Sequence, residues 1–127
     1  MDPNLKIVTL FQNGKTSDVI RYYNNTSPDI APNVQYIVGI SYLFEGEYEN
    51  AKHKLFELKK ASSNLPDYCN YYALALIKCG EYQKANNWVK KNKQKKSILH
   101  FEVGIECAMK CGQIKRAARL VKEAKKN

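Results

Sequence analysis

The chain alternates between almost continuously apolar stretches and half-polar stretches whose apolar residues recur at helical spacing. Residues 34–44 are apolar except at Gln35 and Ser41, so a helix there must be buried around most of its circumference. After a polar break at 45–47, apolar residues recur on one face of a second helix. These residues are Tyr48, Ala51, Leu55 and Leu58. The pattern predicts a helical hairpin.

The same pattern recurs along the chain at nearly equal intervals, each marked by a glycine in the polar break: Gly14, Gly46, Gly80 and Gly112. The segment 46–51 matches 80–85 with four identities in six, and weaker copies begin at the first and last of these glycines. A period in this range is typical of stacked repeat arrays. We therefore predict one domain over 1–127, built from four hairpins at about 3–25, 32–61, 66–92 and 97–126.

The residues at matching places resemble the tetratricopeptide repeat (TPR). The resemblance rests on Gly39, Tyr42, Gly46, Tyr48, Ala51, Gly80, Tyr82, Ala85, Gly112 and Ala117. The second and third hairpins match well, whereas the first has Ile7 and Val19 in place of small residues. The fourth hairpin has Ala108 where an aromatic residue is usual. The resemblance implies an all-α fold, a right-handed superhelix of four antiparallel helix pairs with an atypical first pair.

The last helix of the pattern, 114–126, is expected to close the array. Its apolar residues should face inward, and they are Ile114, Ala117, Leu120, Val121 and Ala124. Its opposite face is basic and carries Lys115, Arg116, Arg119, Lys122 and Lys126. A half-polar helix of this kind can solvate the end of a repeat array.

Partner binding is predicted on the first helix of each central hairpin. In the TPR family this helix lines a concave groove, and the residues facing it here would form an apolar strip of Tyr36, Ile40, Leu43, Phe44, Leu74 and Ile77. We expect this strip to hold an amphipathic helix or peptide, or a second copy of the chain in a homodimer. Ile40→Asp should then abolish association, and charge reversal of Lys93, Lys95 and Lys96 should matter much less. The alternative is that the first hairpin covers the strip within the chain.

Charge adds a second candidate surface. The net charge is +9, but residues 1–50 carry three basic and six acidic side chains, and residues 51–127 carry eighteen and six. A basic half could neutralise phosphates. However, the chain has only three arginines, and a lysine run such as 90–96 is usually solvated, so an acidic protein partner is preferred over nucleic acid. Whether 90–96 binds anything is left open.

The remaining patterns argue against several function classes. No strand-type alternation or catalytic motif occurs, and His53 and His100 are isolated, so we expect no enzyme activity and no small-molecule substrate. Cys79 and Cys111 occupy the same place in successive repeats instead of converging, so we expect free thiols, no metal and no cofactor. Without an apolar run long enough to span a bilayer or a secretory signal, the chain should be soluble and intracellular, cytoplasmic or nuclear, and independent of membranes.

These patterns predict a non-enzymatic protein-interaction scaffold. Within the family, the chain resembles the N-terminal region of the TPR scaffold subunits of the anaphase-promoting complex. That resemblance implies self-association and a place in a ubiquitin ligase complex of the cell cycle. The small TPR chaperones of bacterial type III secretion are the alternative, and a basic nucleic-acid-binding repeat protein is less favoured.

Overall fold

The computed structural model describes residues 2–92, 94 and 96–126, and throughout these residues the regular structure is helical, without strands. The α-helices are α1 (Pro3–Gln12), α2 (Thr16–Thr26), α3 (Pro32–Phe44), α4 (Tyr48–Glu57), α5 (Tyr68–Lys78), α6 (Tyr82–Lys90), α7 (Ile98–Lys110) and α8 (Ile114–Lys126). A 3-10 helix, Lys59–Asn64, follows α4. The predicted all-α class is confirmed.

The helices group into two compact units, unit 1 (Met1–Leu65) and unit 2 (Pro66–Asn127). In unit 1, α1 packs against α2 and α3, α2 packs against α3, and α3 packs against α4. Unit 2 repeats this order, with α5 against α6 and α7, α6 against α7, and α7 against α8. Each unit therefore consists of two successive helix pairs. The single domain over 1–127 stays a prediction.

The two units share one register along the sequence. Helices α2, α3 and α4 begin at positions 16, 32 and 48, and α6, α7 and α8 begin at positions 82, 98 and 114, so one constant offset relates the two sets. The turn glycines follow the same rule, because the same offset carries Gly14 and Gly46 onto Gly80 and Gly112. A residue of unit 1 can therefore be compared directly with its counterpart in unit 2.

Each helix pair is joined by the same turn. Gly14, Gly46, Gly80 and Gly112 have φ of +73°, +77°, +81° and +73°, which is the left-handed region that favours glycine. The residue after each glycine donates its N–H to the carbonyl five positions earlier, which is the bond of a Schellman motif. These bonds run from Lys15 to Leu10, from Glu47 to Tyr42, from Glu81 to Leu76 and from Gln113 to Ala108.

Glycines inside helices allow close packing between paired helices. A methyl group at Gly39 would lie 2.8 Å from Cδ2 of the buried Leu55 on α4. At Gly104 of α7 the corresponding distances are 3.3 Å to Leu120 and 3.4 Å to Val89. A glycine in a helix interior costs about 1 kcal/mol of stability relative to alanine. At these two positions the glycine offsets this cost because it lets the neighbouring side chains approach closely.

The interior of unit 2 contains an aromatic cluster between α5 and α6. The ring of Trp88 lies edge-on to Tyr68 and Tyr72, with centroid distances of 6.1 Å and 5.1 Å. Both tyrosines are buried, and such aromatic pairs add about 0.5–1.5 kcal/mol beyond the area they bury. The cluster fixes α6, which carries residues of the site described below.

Helix α8 exposes apolar residues that were predicted to face inward. Ala117 and Leu120 are buried, but Ile114 is 66% exposed and Val121 is 39% exposed. Within unit 2 the main neighbour of α8 is α7, and a single neighbouring helix covers only one face. The inward placement of Ile114 and Val121 is therefore wrong.

Candidate functional site

The predicted apolar strip lies mostly in the interior of the two units. Tyr36, Ile40 and Leu43 are buried in unit 1, and Ile77 is buried in unit 2. Helix α3 contacts α1, α2 and α4, so neighbours within unit 1 surround the first three. A carboxylate at position 40 would lie in that interior, so Ile40→Asp tests folding as well as association. The partner-binding role of the strip stays a prediction.

Two residues of the strip are more accessible. Leu74 is half-buried in unit 2. Phe44, at the end of α3, is 60% exposed, and its ring stacks on Phe11 of α1 at a centroid distance of 6.4 Å. The first helix pair thus contacts one member of the strip directly. Of the lysines considered beside the strip, Lys93 and Lys95 lie outside the described residues.

A polar network ties the two helix pairs of unit 1 together. Lys54 Nζ on α4 donates to Tyr23 Oη at 2.6 Å, to Gln35 Oε1 at 3.0 Å and to Glu57 Oε2 at 3.3 Å. Burial opposes the positive charge, but the hydrogen bond and charge of Tyr23 and the carboxylate of Glu57 outweigh it and raise the pKa of Lys54. Tyr42 adds a hydrogen bond to Asn24. This network holds α2, α3 and α4 in place.

Unit 2 has a comparable tie centred on Asn86 of α6, which is fully buried. Arg116 Nη1 on α8 donates to Asn86 Oδ1 at 2.6 Å, and Asn86 Nδ2 donates to Gln113 Oε1 at 3.1 Å. One amide therefore joins α6 to both the turn before α8 and the first part of α8. The arrangement orients the guanidinium group of Arg116.

Beside this tie, unit 2 contains a cavity of about 470 Å³ between α6, α7 and α8, called here the basic cavity. Four cationic side chains line it, Lys90, Lys96, Arg116 and Arg119. Glu123 is the one carboxylate among its described lining residues, and its Oε2 lies 3.6 Å from Lys96 Nζ. The cavity is therefore positively charged and suited to an anion.

His100 also lines the basic cavity and is only 5% exposed. Its Nδ1 lies 3.2 Å from Asn92 Nδ2. Because an amide nitrogen can only donate, Nδ1 is the acceptor and the ring proton is on Nε2. Burial, followed by the charges of Lys96 and Arg116, lowers the pKa of His100 below its usual 6.5. The imidazole is consequently neutral at pH 7 and offers one N–H donor.

A second cavity, of about 600 Å³, lies where the beginning of α7 meets the end of α8 and is called here the apolar cleft. Ile98, Phe101 and Ile105 on α7 and Ala124 on α8 line it, and Ile98 is 79% exposed. Lys96 and Glu102 stand at its polar side. The cleft offers an apolar surface. At Ile98, no residue in the described part of the chain covers this surface.

The cysteines are all free thiols. Cys107 is buried, and burial raises the pKa of its thiol to about 12. Cys79 and Cys111 lie at the ends of α5 and α7. Within the described residues, no group of three or more His, Cys, Asp or Glu side chains could hold a metal ion. None of the helices described here has the length and apolar character needed to cross a membrane.

Sequence reasoning did not anticipate the grouping around the basic cavity. It identified the lysine run and the basic face of 114–126, but it treated His100 as isolated and assigned no role to Asn86. The structure brings Lys90, Lys96, His100, Arg116 and Arg119 around one cavity. One feature of the sequence did indicate this grouping: Arg116 and Arg119 are three residues apart, which places them on one helix face.

The chain matches no model of a known protein family, and a comparison with curated proteins found no relative. Function must therefore be inferred from the fold and from the chemistry of these two surfaces.

Proposed function

We propose that the protein is a non-enzymatic interaction module of the TPR type, in which helix pairs stack as a right-handed solenoid and a surface holds a segment of a partner protein. Support comes from the four Schellman turns at the repeat glycines and from the close approach of Leu55 to Gly39. A scaffold subunit of a large assembly, such as the anaphase-promoting complex, and a subunit chaperone are two forms that this proposal can take.

The apolar cleft on α7 and α8 carries the proposal, because Ile98 is 79% exposed there beside the half-buried Ile105 and Ala124. Apolar side chains clustered on a surface mark an interaction site more often than those scattered singly. Burying one isoleucine such as Ile98 is worth about 1.5–3 kcal/mol before the cost of association. This places the proposed interface on unit 2, whereas the sequence placed it on the mostly buried strip that begins at Tyr36.

The proposed occupant of the cleft is an amphipathic helix with acidic flanking residues. Ile98 and the half-buried Ile105 lie two turns apart on one face of α7, with the buried Phe101 between them, and this suits helix-in-groove binding. Unit 2 carries fourteen basic and five acidic side chains, so an acidic partner is attracted. A second copy of the chain brings the same positive charge, and this repulsion disfavours the homodimer expected from the sequence.

The test uses a display library of amphipathic helices with acidic flanks. A helix selected against the protein is titrated by calorimetry against the parent and against Ile98→Asp. We expect the substitution to weaken binding at least about tenfold, because it places a carboxylate where about 1.5–3 kcal/mol of apolar burial was available. Circular dichroism should remain unchanged, since Ile98 is exposed.

Ile114→Asp is the matched control, because Ile114 is an exposed isoleucine on α8 that does not line the cleft. This variant should bind the selected helix like the parent. Equal binding by the parent and Ile98→Asp would contradict the proposal. A parent homodimer in light scattering that Ile98→Asp dissociates would identify a second copy as the occupant, and it would contradict a partner helix.

A further inference from the structure

The charges around the basic cavity are not balanced. Lys90 ends α6, Lys96 precedes α7, and Arg116 and Arg119 lie one turn apart on α8. Against these four cations stands Glu123, whose carboxylate already lies 3.6 Å from Lys96. Neither Lys90 nor Arg119 forms an ion pair with a carboxylate in the described part of the chain. Cations gathered around one cavity repel each other, so an anion bound there would lower this repulsion.

One of the cations is oriented before any ligand binds. Asn86 is fully buried and accepts a 2.6 Å hydrogen bond from Arg116 Nη1, while its own amide group is held by Gln113. A guanidinium group has five N–H donors in a planar fork, so this bond leaves donors for a ligand. A side chain that is already fixed loses less entropy on binding. Asn86 is thus a positioning residue for Arg116.

His100 adds a neutral donor to the same cavity. Asn92 holds Nδ1 as an acceptor, and this leaves the proton on Nε2. A site that combines two guanidinium groups, two ammonium groups and one imidazole N–H has more donors than a single carboxylate can use. It matches a ligand with three acceptor oxygens and more than one negative charge.

We propose that the basic cavity binds a phosphate monoester carried on a side chain of a partner protein. Phosphoserine and its relatives carry about −1.5 to −2 charges at pH 7 and three strong acceptor oxygens. Nucleic acid fits less well, because single strands rely on bases stacking on aromatic rings. The one aromatic side chain among the described lining residues is His100, and it is buried. The basic cavity shares Lys96 with the apolar cleft, but its test relies on His100, Arg116 and Arg119, which do not line the cleft.

The two histidines of the chain allow ligand binding to be followed at the site and away from it. A phosphate group beside His100 favours the charged imidazolium, so the ligand should raise the pKa of His100. His53 lies on α4 in unit 1 and serves as the internal reference. The probe is a capped tripeptide with a central phosphoserine, added during a titration of the imidazole signals by nuclear magnetic resonance. We expect a saturable rise of the pKa of His100 and unchanged His53 signals at fixed pH.

Charge-neutralising variants locate the site. Arg119→Gln should weaken the tripeptide about tenfold, because it removes one charge-assisted hydrogen bond from an exposed side chain without breaking a tie in the fold. Arg116→Gln should weaken tripeptide binding at least as much as Arg119→Gln does. Arg116→Lys should restore part of the affinity, because lysine keeps the positive charge but lacks the planar guanidinium group. Lys122→Gln is the matched control, because it removes one charge from the same helix outside the basic cavity. It should change the affinity less than twofold.

Four results would overturn the inference. One is the absence of a saturable change at His100. Another is equal binding of a tripeptide in which glutamate replaces phosphoserine, which would show that the site does not require phosphate. Tighter binding of an oligothymidylate than of the phosphoserine tripeptide would assign the cavity to nucleic acid. An equal effect of Lys122→Gln and Arg119→Gln would show that net charge alone attracts the ligand.

Discussion

Units 1 and 2 share a helix order and a register but differ completely in charge. Residues 1–65 carry seven basic and seven acidic side chains, whereas residues 66–127 carry fourteen and five, so the second unit accounts for the whole net charge of +9. The turns and the small helix-interior residues are of the same kind in both units. The helix pairs therefore depend on turns and interior contacts, and the surface charge of a unit can differ without changing its fold.

The hydrogen bonds that join the helix pairs show the same difference in charge between the two units. In unit 1, Lys54 of α4 reaches Tyr23 of α2 and is balanced by Glu57. In unit 2, Arg116 of α8 reaches Asn86 of α6, and an amide cannot balance its charge. The lysine is consequently a structural group, while the arginine keeps charge and donors available at a cavity. The cation of the unit 1 network thus has a carboxylate partner, whereas the hydrogen bond of Arg116 in unit 2 is to a neutral amide.

The largest difference is expected at equivalent positions on α4 and α8. Leu55 and Val121 occupy the same place in the shared register, but Leu55 is fully buried and Val121 is 39% exposed, because Leu120, one residue earlier, makes the contact with the helix-interior glycine in unit 2. Leu55→Ala should lower the free energy of unfolding by about 2–5 kcal/mol, because it leaves a cavity against Gly39. Val121→Ala should change it by less than about 0.5 kcal/mol. Urea denaturation followed by circular dichroism measures both values.

A loss of stability in Val121→Ala as large as that in Leu55→Ala would remove this contrast. It would mean that α8 is covered in solution by a partner or by another copy of the chain.

A smaller contrast is expected between the two helix-interior glycines. Gly39→Ala brings a methyl group to 2.8 Å from Leu55, so overpacking of about 1–3 kcal/mol should exceed the helix gain of about 1 kcal/mol and lower stability. Gly104→Ala meets Leu120 and Val89 at 3.3 Å and 3.4 Å, and small shifts of these methyl groups should make it neutral within about 0.5 kcal/mol. Thermal and urea unfolding of the two variants compare them. A stabilising Gly39→Ala would contradict the tight contact between α3 and α4.

The smallest effect concerns pH and the histidine of unit 2. The pKa of His100 is lowered in the folded state by burial and by the charges of Lys96 and Arg116, so below pH 6.5 the unfolded chain binds more protons than the folded one. The contribution of His100 to stability is therefore complete above pH 6.5 and declines as the pH falls through the window below it. His100→Gln should remove this part of the pH dependence, measured by urea unfolding at several pH values. His53→Gln is the matched control in unit 1, and an equal effect of both substitutions would contradict the assignment to the basic cavity.

Much of the fold could be predicted from the sequence because it rests on local signals. Helical spacing of apolar residues and four turn glycines set the helix pairs, and Gly39 indicated a close neighbour that proves to be Leu55. The exposure of Ile114 could not be predicted, because it depends on which side of α8 has a neighbour. The basic cavity depends on bonds such as Arg116 to Asn86, which join positions far apart in the chain. Periodicity does not encode such distant pairings.

The contacts of unit 1 join elements that are close in sequence, and this affects how the unit can fold during synthesis on the ribosome. These contacts are made among α1, α2, α3, α4 and the following 3-10 helix, and they lie within unit 1. Chains emerge from the N-terminus at roughly 5–20 residues per second, and contacts between near neighbours in sequence form in far shorter times. Unit 1 can therefore reach its native packing before the synthesis of unit 2 is complete. The nascent neutral unit leaves the ribosome first, and the cationic unit follows it.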